Sequence, residues 1–436
     1  MGFTVRSVKF NFLMNLLLTG SSILFPLVTF PIVSRALLAD AYGLVGFATS
    51  VASWLSLIAM LGVNRYGVRE VARVRDDAVE LAKTSKEILA VTMASTAIVY
   101  ACFIVSLFLV ERFAADPALF FVNGFTVICN TLGVAWFFQG IEQYRYITVR
   151  GVLVRMVCLV GVVLLVHAPG DYLVYAALLV ASNAVANLVN FFYMFHLLDE
   201  GVREAGGRAA CGKLELRRHI RPLLVFFVIV AAISIYTTLD TVMLGFLSTN
   251  EQVGFYTSAI AVKNAMTAVV SALSNVLLPR ASNLLANGEQ AAFKRLVRKA
   301  LRVVLLLSVP LAVVVCLVAT PLMTWYAGEA FAGAGLPLSI VALAVVPIGL
   351  SVVFCDEFMI QVGMEGKCTW IYVAAAIVNF CLNLALIPSL GAVGTAIATT
   401  FVEVLIALVE FLIVRKYLWG GPNGMGVELP VPEERG

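Results

Sequence analysis

The sequence LDEGVREAGGRAACGKLELRRHIRP, residues 198–222, is the longest strongly polar interval away from the two ends of the chain. It contains four acidic residues, two adjacent glycines and six basic residues: Arg203, Arg208, Lys213, Arg217, Arg218 and Arg221. Apolar blocks of roughly 20 residues, the length that a helix needs to cross a bilayer core, lie on both sides of it. The interval therefore predicts an aqueous linker between two membrane-embedded halves.

The composition is typical of a polytopic membrane protein. Hydrophobic residues make up 61% of the 436 positions and charged residues 13%, whereas soluble domains are closer to half apolar and a quarter charged. The eight cysteines form no CxxC pair and no Cys–His cluster, so we expect neither a disulfide framework nor a metal site. The phosphate-binding loop of ATPases is missing from the sequence, so we do not expect ATP to be the direct energy source. We also expect no cofactor.

Twelve apolar segments are each long enough to form a spanning helix, and backbone groups in lipid must be paired within such helices. Their approximate ranges are 10–34, 41–63, 88–110, 117–139, 148–168, 172–197, 222–247, 253–278, 302–326, 337–361, 369–389 and 393–414. The fold class is therefore all-α. The predicted domains are an N-terminal lobe (1–197), a basic linker (198–221), a C-terminal lobe (222–414) and a tail (415–436).

The distribution of positive charge predicts the orientation of the chain. Nearly all of the 30 lysines and arginines lie in alternate connecting segments, which the positive-inside rule places in the cytoplasm. Only Arg35 and Arg112 fall in external segments, and Lys263 lies within a span. We therefore expect both chain ends and the linker on the cytoplasmic side.

The two halves share a layout. Each begins with two spans followed by a long basic segment, 64–87 in the first half and 279–301 in the second, and a shift of 211 residues pairs Asp40 with Glu251. Two halves of the same orientation are related by an axis along the membrane normal, which places a substrate path between them.

The first basic segment, residues 65–87, predicts an amphipathic helix on the inner membrane surface. Arg65 and Arg69 either contact anionic lipid there or attract a phosphate headgroup. A second feature, WFFQGIEQYRYITVR at 136–150, predicts an interfacial belt of aromatic residues. Gln139 lies among them and suits contact with a sugar or a headgroup.

Four stretches carry a family resemblance: FPIVSRALLADAYGLVGFATS (30–50), LGVNRYGVREVARVRDD (61–77), WFFQGIEQYRYIT (136–148) and LDTVMLGFLSTNEQVGFYTSA (239–259). They resemble the polysaccharide biosynthesis transporters, the O-antigen and exopolysaccharide repeat-unit flippases often called Wzx. That family belongs to the MOP superfamily, together with MATE multidrug exporters and lipid II flippases.

The resemblance implies two six-helix lobes around a central cavity, as in MATE proteins, with alternating inward and outward openings. It implies a polyprenyl-diphosphate-linked oligosaccharide as cargo and the bacterial cytoplasmic membrane as location. Other polysaccharide assembly proteins, such as a polymerase or a chain-length regulator, would be partners, and nucleic acid would not.

Charges inside spans are costly, so they usually face a protein interior or an aqueous cavity. Asp240, Lys263 and Glu403 lie at similar depth in the second half, which makes a pair of Lys263 with either carboxylate feasible. Such a pair is either structural or a site for a coupling cation or proton. Three further acidic residues lie toward the inner ends of their spans: Asp356, Glu357 and Glu410.

Span one also carries candidate residues. Asn11 and Asn15 are four apart, so they share one helix face, which either lines a cavity or forms interhelical hydrogen bonds. Pro26 and Pro31 are expected to bend or break this helix. Arg35, at its outer end, is either an interfacial snorkeller or a ligand of the diphosphate, whose oxygens match a guanidinium.

Two other functions stay open at the sequence level. A MATE-like antiporter of drugs or other small molecules would share the same superfamily and span number. A membrane glycosyltransferase or polymerase would need a long external loop or a cytoplasmic catalytic domain, and this sequence has neither. We therefore expect a transporter and not an enzyme.

Overall fold

The structure is a computed structural model that describes residues 8–204 and 214–420. Within these ranges it leaves out the side chains of residues 8, 9, 11, 12, 15, 229, 232, 233, 235–237, 272–276, 278 and 279. Every regular element in the described ranges is a helix, which confirms the all-α class. The chain divides into two compact units, Met1–Ala231 (unit 1) and Ala232–Gly436 (unit 2), and each is described by itself.

Unit 1 is built from long apolar helices joined by short turns. Its helices are α1 (Val8–Met60), α2 (Val63–Val74), α3 (Ala78–Leu109), α4 (Glu111–Ala114), α5 (Pro117–Leu132), α6 (Ala135–Gly140), α7 (Tyr144–Leu165), a 3₁₀ turn (Pro169–Asp171) and α8 (Tyr172–Glu204). The next helix, α9 (Arg217–Leu247), begins in unit 1 and ends in unit 2.

Unit 2 continues from α9 with the same construction. Its remaining elements are α10 (Asn250–Ala286), α11 (Gln290–Ala327), a 3₁₀ turn (Glu329–Ala334), α12 (Gly335–Leu343), α13 (Val345–Ser351), a π-helix (Val352–Met359) and α14 (Glu365–Leu418). Among the described residues of both units, nine helical segments are long and apolar enough to cross a bilayer.

All twelve predicted spans fall on helices, although α1 and α14 each carry two of them. The backbone of α1 leaves helical geometry at Leu38 (φ 60°, ψ 179°), and that of α14 does so at Gly391 (φ 54°, ψ −128°). At Gly391 the break is stabilised by Gln252, whose Oε1 accepts the Ala392 N–H at 3.0 Å. The number of membrane crossings stays a prediction, because no membrane accompanies the helices.

The two prolines of span one do not break it, and the interruption lies in the predicted connection between spans one and two. The helix continues through Pro26 and Pro31, and the non-helical residue is Leu38. A shift of 211 residues from Leu38 reaches Thr249, one of the two residues between α9 and α10, whose hydroxyl caps α10. In each half, the helical path is therefore interrupted between the first and the second span, at the same relative position. This agrees with the shared layout.

The predicted surface helix over 65–87 is wrong in its extent. The amphipathic part is only α2, and a new helix starts at Ala78, where Asp77 Oδ1 accepts the N–H groups of Val79 and Glu80 at 2.9 and 3.0 Å. An aspartate with this N-cap geometry begins a helix. Residues 78–87 are consequently the first turns of the long helix α3.

The predicted aromatic belt at 136–138 is also wrong. Trp136, Phe137 and Phe138 are 2%, 0% and 0% exposed and belong to the hydrophobic core of unit 1. The ring of Trp136 lies against α2 so closely that a Cβ at Gly67 would come within 2.7 Å of its Cε3 atom. Periodicity could not reveal this burial, because α6 is too short to show which of its faces is covered.

The predicted linker is partly helical. Residues 198–204 are the last turns of α8, with Leu198 buried, and residues 217–221 begin α9. Residues 205–213 lie outside the described residues, as do the two chain ends, 1–7 and 421–436, whose cytoplasmic location stays a prediction.

Candidate functional site

A buried carboxylate stands at the centre of the most polar cluster within unit 2. Asp240, on α9, is 2% exposed. Its Oδ1 accepts a hydrogen bond from Asn383 Nδ2 of α14 at 2.7 Å. Its Oδ2 accepts from the Tyr256 hydroxyl of α10 at 2.8 Å and from the Thr399 hydroxyl of α14 at 2.6 Å. Neutral donors from two neighbouring helices therefore stabilise a charge that is cut off from solvent.

The predicted direct ion pair of Lys263 does not form. In the described part of the chain, no ion pair within 4.0 Å joins Lys263 to Asp240 or to Glu403. Both carboxylates nevertheless lie close enough to Lys263 to interact with it electrostatically. The structure thus brings the three predicted residues into one neighbourhood, while the hydrogen-bond partners of Asp240 are neutral groups.

The hydroxyl groups around Asp240 can reverse their hydrogen bonds. The Thr399 hydroxyl lies 2.6 Å from Asp240 Oδ2 and 3.0 Å from the Thr395 carbonyl, but it has one hydrogen to donate. Next to an ionised Asp240 it donates to the carboxylate. When Asp240 carries a proton, that proton can be donated to Thr399, whose own hydrogen then turns to Thr395. The cluster can accordingly hold Asp240 in either protonation state.

Two amides beside Asp240 leave hydrogen-bonding capacity unused. Asn383 Nδ2 donates to Asn379 Oδ1 at 3.1 Å as well as to Asp240. Asn383 Oδ1 and Asn379 Nδ2 are buried without a partner among the described atoms. Asp240 and Thr399 present oxygen atoms, the ligand type that hard cations prefer, and Asn383 would add another if its amide flipped.

The sequence contained signals for these partners that were not used. Tyr256 and Lys263 are seven residues apart on α10, which is two helical turns, so they lie on one face. Thr399 and Glu403 are four apart on α14, as are Asn379 and Asn383. Helical spacing from Lys263 and Glu403 therefore points to Tyr256 and Thr399, whereas no charge lies at helical spacing from Asn379 and Asn383.

Arginines of α7 form the corresponding polar feature within unit 1. Arg155 donates through Nη1 to the Ser21 hydroxyl of α1 at 2.6 Å. Arg150 donates through Nη1 to the backbone carbonyl of Ala186 on α8, while its Nε is buried without a partner among the described atoms. Both lie near the inner end of the predicted span 148–168, and the structure places them on the long helix α7 with interhelical contacts.

The other predicted residues of unit 1 are spread over three elements. Arg35 is exposed near the break in α1, and Arg65 is exposed on α2. Arg69 Nη2 lies 2.9 Å from Glu70 Oε1, and Gln139 on α6 is half-buried. The side chains of two predicted residues lie outside the described part of the structure: Asn11 and Asn15.

A second buried carboxylate was missed because it lies at the end of a charged segment. Glu87 on α3 is 0% exposed. It accepts hydrogen bonds from the Glu215 N–H at 2.6 Å, from Arg218 Nε at 2.8 Å and from His219 Nε2 at 2.8 Å. His219 Nδ1 then lies 2.6 Å from the Tyr66 hydroxyl. This network attaches the start of α9 to α2 and α3.

The arginine of this network stays charged. Partial burial of the Arg218 guanidinium would by itself lower its pKa, but the hydrogen bonds and charges of Glu87 and Glu80 outweigh burial and raise the pKa overall. Arg218 Nη2 also lies 3.1 Å from Glu80 Oε1, so one guanidinium joins two carboxylates of α3.

Comparison with known proteins agrees with this architecture. Residues 8–285 match the family described as polysaccharide biosynthesis protein. A protein of Escherichia coli (strain K12), whose name provisionally assigns it O-antigen transport, is 22% identical over 410 residues, covering 94% of this chain and 97% of that protein.

Solved structures show the same fold. The lipid II flippase MurJ, in an inward closed conformation, matches with a TM-score of 0.71 at 14% identity over 93% of this chain and 87% of that one. An inward-facing multidrug resistance MATE transporter of the MOP superfamily matches with a TM-score of 0.67 at 12% identity, over 91% and 94%. At these identities the likeness concerns the fold alone. The chain is thus a multi-pass membrane protein that belongs to the polysaccharide biosynthesis protein family and has the helical fold of MOP superfamily transporters.

Proposed function

We propose that this chain is a flippase that moves polyprenyl-diphosphate-linked oligosaccharide repeat units across the bacterial cytoplasmic membrane by alternating access. Membership of the polysaccharide biosynthesis protein family supports the cargo. The observation that supports active transport is the burial of the Asp240 carboxylate. An ionisable group within an apolar helical unit is costly and usually functional.

Coupling is proposed to occur at Asp240, with Glu403 and Lys263 as its charged neighbours. A proton would be taken up by Oδ2, and the Thr399 hydroxyl would turn toward Thr395 in response. A monovalent cation would instead bind the oxygens of Asp240 and Thr399, and the Asn383 amide would flip to turn its oxygen toward the cation. Either ligand changes the net charge of the cluster, and a change in charge gives the transport cycle its dependence on an ion gradient.

Cargo binding is proposed to use arginines, since guanidinium groups match the paired oxygens of a diphosphate. Arg155 and Arg150 are added to the residues predicted from sequence because they lie on a membrane helix and have N–H donors beyond those that their interhelical contacts use. The contact residues proposed from sequence complete the set: Asn11, Asn15, Arg35, Arg65, Arg69, Gln139 and Lys263.

The test is a clean deletion in a host that makes a surface polysaccharide and has no second flippase. We expect the surface polymer to disappear and lipid-linked repeat units to accumulate on the inner leaflet, as measured by leaflet-specific enzymatic labelling. A plasmid copy of the wild-type chain should restore both measurements. Surface polysaccharide at the normal level in the deletion strain would refute the proposal.

A MATE-like antiporter is the second candidate, because a multidrug resistance MATE transporter shares the fold. The same deletion strain separates the two functions. An antiporter predicts increased drug susceptibility with normal surface polysaccharide, whereas the flippase predicts loss of polysaccharide. Assembly partners, such as a polymerase and a chain-length regulator, are proposed only for the flippase.

A further inference from the structure

A large apolar groove lies within unit 2 and is lined by none of the residues of the Asp240 cluster. Its volume is about 520 Å³, and α11, α13, the π-helix and α14 line it. Most of its wall is hydrocarbon, for example Leu305, Leu350 and Leu408, and two arginines, Arg298 and Arg302, also border it. A groove of this volume is within the size range of ligand pockets, about 300–1,000 Å³.

The groove opens toward the surroundings of the helices. Leu305, Val404 and Leu408 on its wall are 39%, 49% and 51% exposed. In a multi-pass membrane protein, exposed leucine and valine on long apolar helices face lipid chains. The groove is therefore accessible from the bilayer.

The charged part of the groove has a defined position. Arg298 and Arg302 are one helical turn apart on α11, so they lie on the same face. Arg302 begins the predicted span 302–326, and Trp419, which also lines the groove, follows the predicted span 393–414. The arginines and the tryptophan thus lie at the predicted cytoplasmic interface, at the depth of lipid headgroups.

The two arginines carry positive charge that the described residues do not neutralise. In the parts of the chain that the structure covers, neither Arg298 nor Arg302 forms an ion pair within 4.0 Å. Arg298 Nε donates only to the backbone carbonyl of Lys294, at 3.3 Å. Two guanidinium groups beside an open apolar groove are complementary to a ligand with an anionic head and a hydrocarbon chain.

We propose that this groove binds an anionic phospholipid of the inner leaflet. Its phosphate is held by Arg298 and Arg302, and one acyl chain lies along Leu305, Leu350 and Leu408. The site is independent of the cargo, because nothing in it requires a sugar or a polyprenyl chain. The proposed lipid site applies equally to a flippase and to an antiporter.

The experiment compares lipids on the purified, delipidated full chain by native mass spectrometry. We expect phosphatidylglycerol to be retained at least tenfold more strongly than phosphatidylcholine, since each basic residue near a headgroup contributes about 1 kcal/mol. Equal retention of the two lipids would overturn the proposal. A polyprenyl phosphate that displaces phosphatidylglycerol at equimolar concentration would overturn it too, because the groove would then hold the carrier lipid.

Variants locate the binding to the groove. Arg298→Gln with Arg302→Gln should abolish the preference for phosphatidylglycerol. The matched control is Arg295→Gln with Lys299→Gln, which removes the same charge from exposed positions of α11 that do not line the groove. If the control pair lost the preference for phosphatidylglycerol to the same extent, the preference would be a general effect of surface charge. That result would overturn the proposed site.

A second variant keeps both arginines and fills the space. Ala407 lines the groove, so Ala407→Phe should exclude the acyl chain and lower retention of phosphatidylglycerol at least fivefold. Its elution as a single peak in size-exclusion chromatography shows that the variant is folded. If folded Ala407→Phe retained phosphatidylglycerol as strongly as the wild type, the proposed path of the acyl chain would be contradicted. The comparison of lipids on the wild-type chain decides the proposal even where a variant does not fold.

Discussion

Asp240 shows how a single buried charge is stabilised by its neighbours. Each oxygen of its carboxylate accepts at least one hydrogen bond, and the donors come from α10 and α14. Hydrogen bonds to a charged group contribute about 1.5–3 kcal/mol each, which offsets the desolvation of a single carboxylate without a direct cation partner. Lys263 therefore acts on Asp240 at a distance, and its role is separable from folding.

The residue-scale prediction concerns Asp240→Asn, which removes the charge and keeps the shape. The new amide can donate to Asn383 Oδ1, which is unpartnered now, if the Asn383 and Asn379 amides both flip. We therefore expect the free energy of unfolding to change by less than about 1.5 kcal/mol. Ion-driven export in reconstituted vesicles should nevertheless be lost, because the variant cannot change its charge.

Asp356→Asn is the matched control for this experiment. Asp356 is an exposed acidic residue of the same unit, outside the cluster, so the variant should export normally. Export by folded Asp240→Asn at the wild-type rate, with unchanged dependence on pH and on Na⁺, would exclude coupling at this residue. Lys263→Ala should remain folded, because it breaks no direct ion pair and so avoids the roughly 3–5 kcal/mol cost of breaking one.

At the scale of elements, the start of α9 is held to α2 and α3 by a polar network. Glu87 is the shared acceptor, and three donors from residues 215–219 converge on it. The neighbouring pair of Lys83 and Glu215, at 3.4 Å, lies at the surface, where ion pairs contribute little. Attachment of this end of the predicted linker therefore depends mainly on the buried carboxylate.

The element-scale prediction is that Glu87→Ala weakens this attachment. Loss of the acceptor strands the donors of His219 and of the Glu215 backbone, at about 1–3 kcal/mol for a buried unsatisfied group. Trypsin should then cleave faster after Arg217 and Arg218, as measured by gel electrophoresis of the purified protein. Lys83→Gln is the control and should leave the cleavage rate near that of the wild type. Equal acceleration by both variants would contradict the assigned role of Glu87.

The whole molecule combines two helical units whose spans follow the same order. The breaks at Leu38 and at Thr249 have the same offset within the two halves, yet α10 continues without interruption to Ala286, whereas α1 ends at Met60. The separate helix α2 after α1 thus has no counterpart after the equivalent span of unit 2. The two units therefore share the order of their spans but differ at the predicted cytoplasmic end of the second span.

Topology is the prediction that belongs to the whole molecule. We expect a membrane-impermeant maleimide to label Gly170→Cys in intact cells and Gly366→Cys only after permeabilisation. A side chain at either position meets no atom within 4 Å, so each substitution should be tolerated. Cys211, in the predicted linker, is replaced by serine in both variants to remove background. Labelling of Gly366→Cys in intact cells would contradict the cytoplasmic assignment and the twelve-span order.

Several properties follow from the sequence by itself because they depend on local composition. The helical class follows from apolar runs of bilayer length. The orientation is a prediction from the placement of Lys and Arg. The three charged residues Asp240, Lys263 and Glu403 were found because a charge inside an apolar run is visible without a structure.

Other properties were decided only by tertiary structure, because they depend on which helices pack together. The donors to Asp240 come from positions 16, 143 and 159 residues away in the chain, and no local pattern connects them. Trp136 is buried because α2 offers Gly67 at the contact, and Arg155 bonds to Ser21 across 134 residues. Local sequence shows that a polar group must be paired in lipid, whereas the partner is chosen by the packing of distant helices.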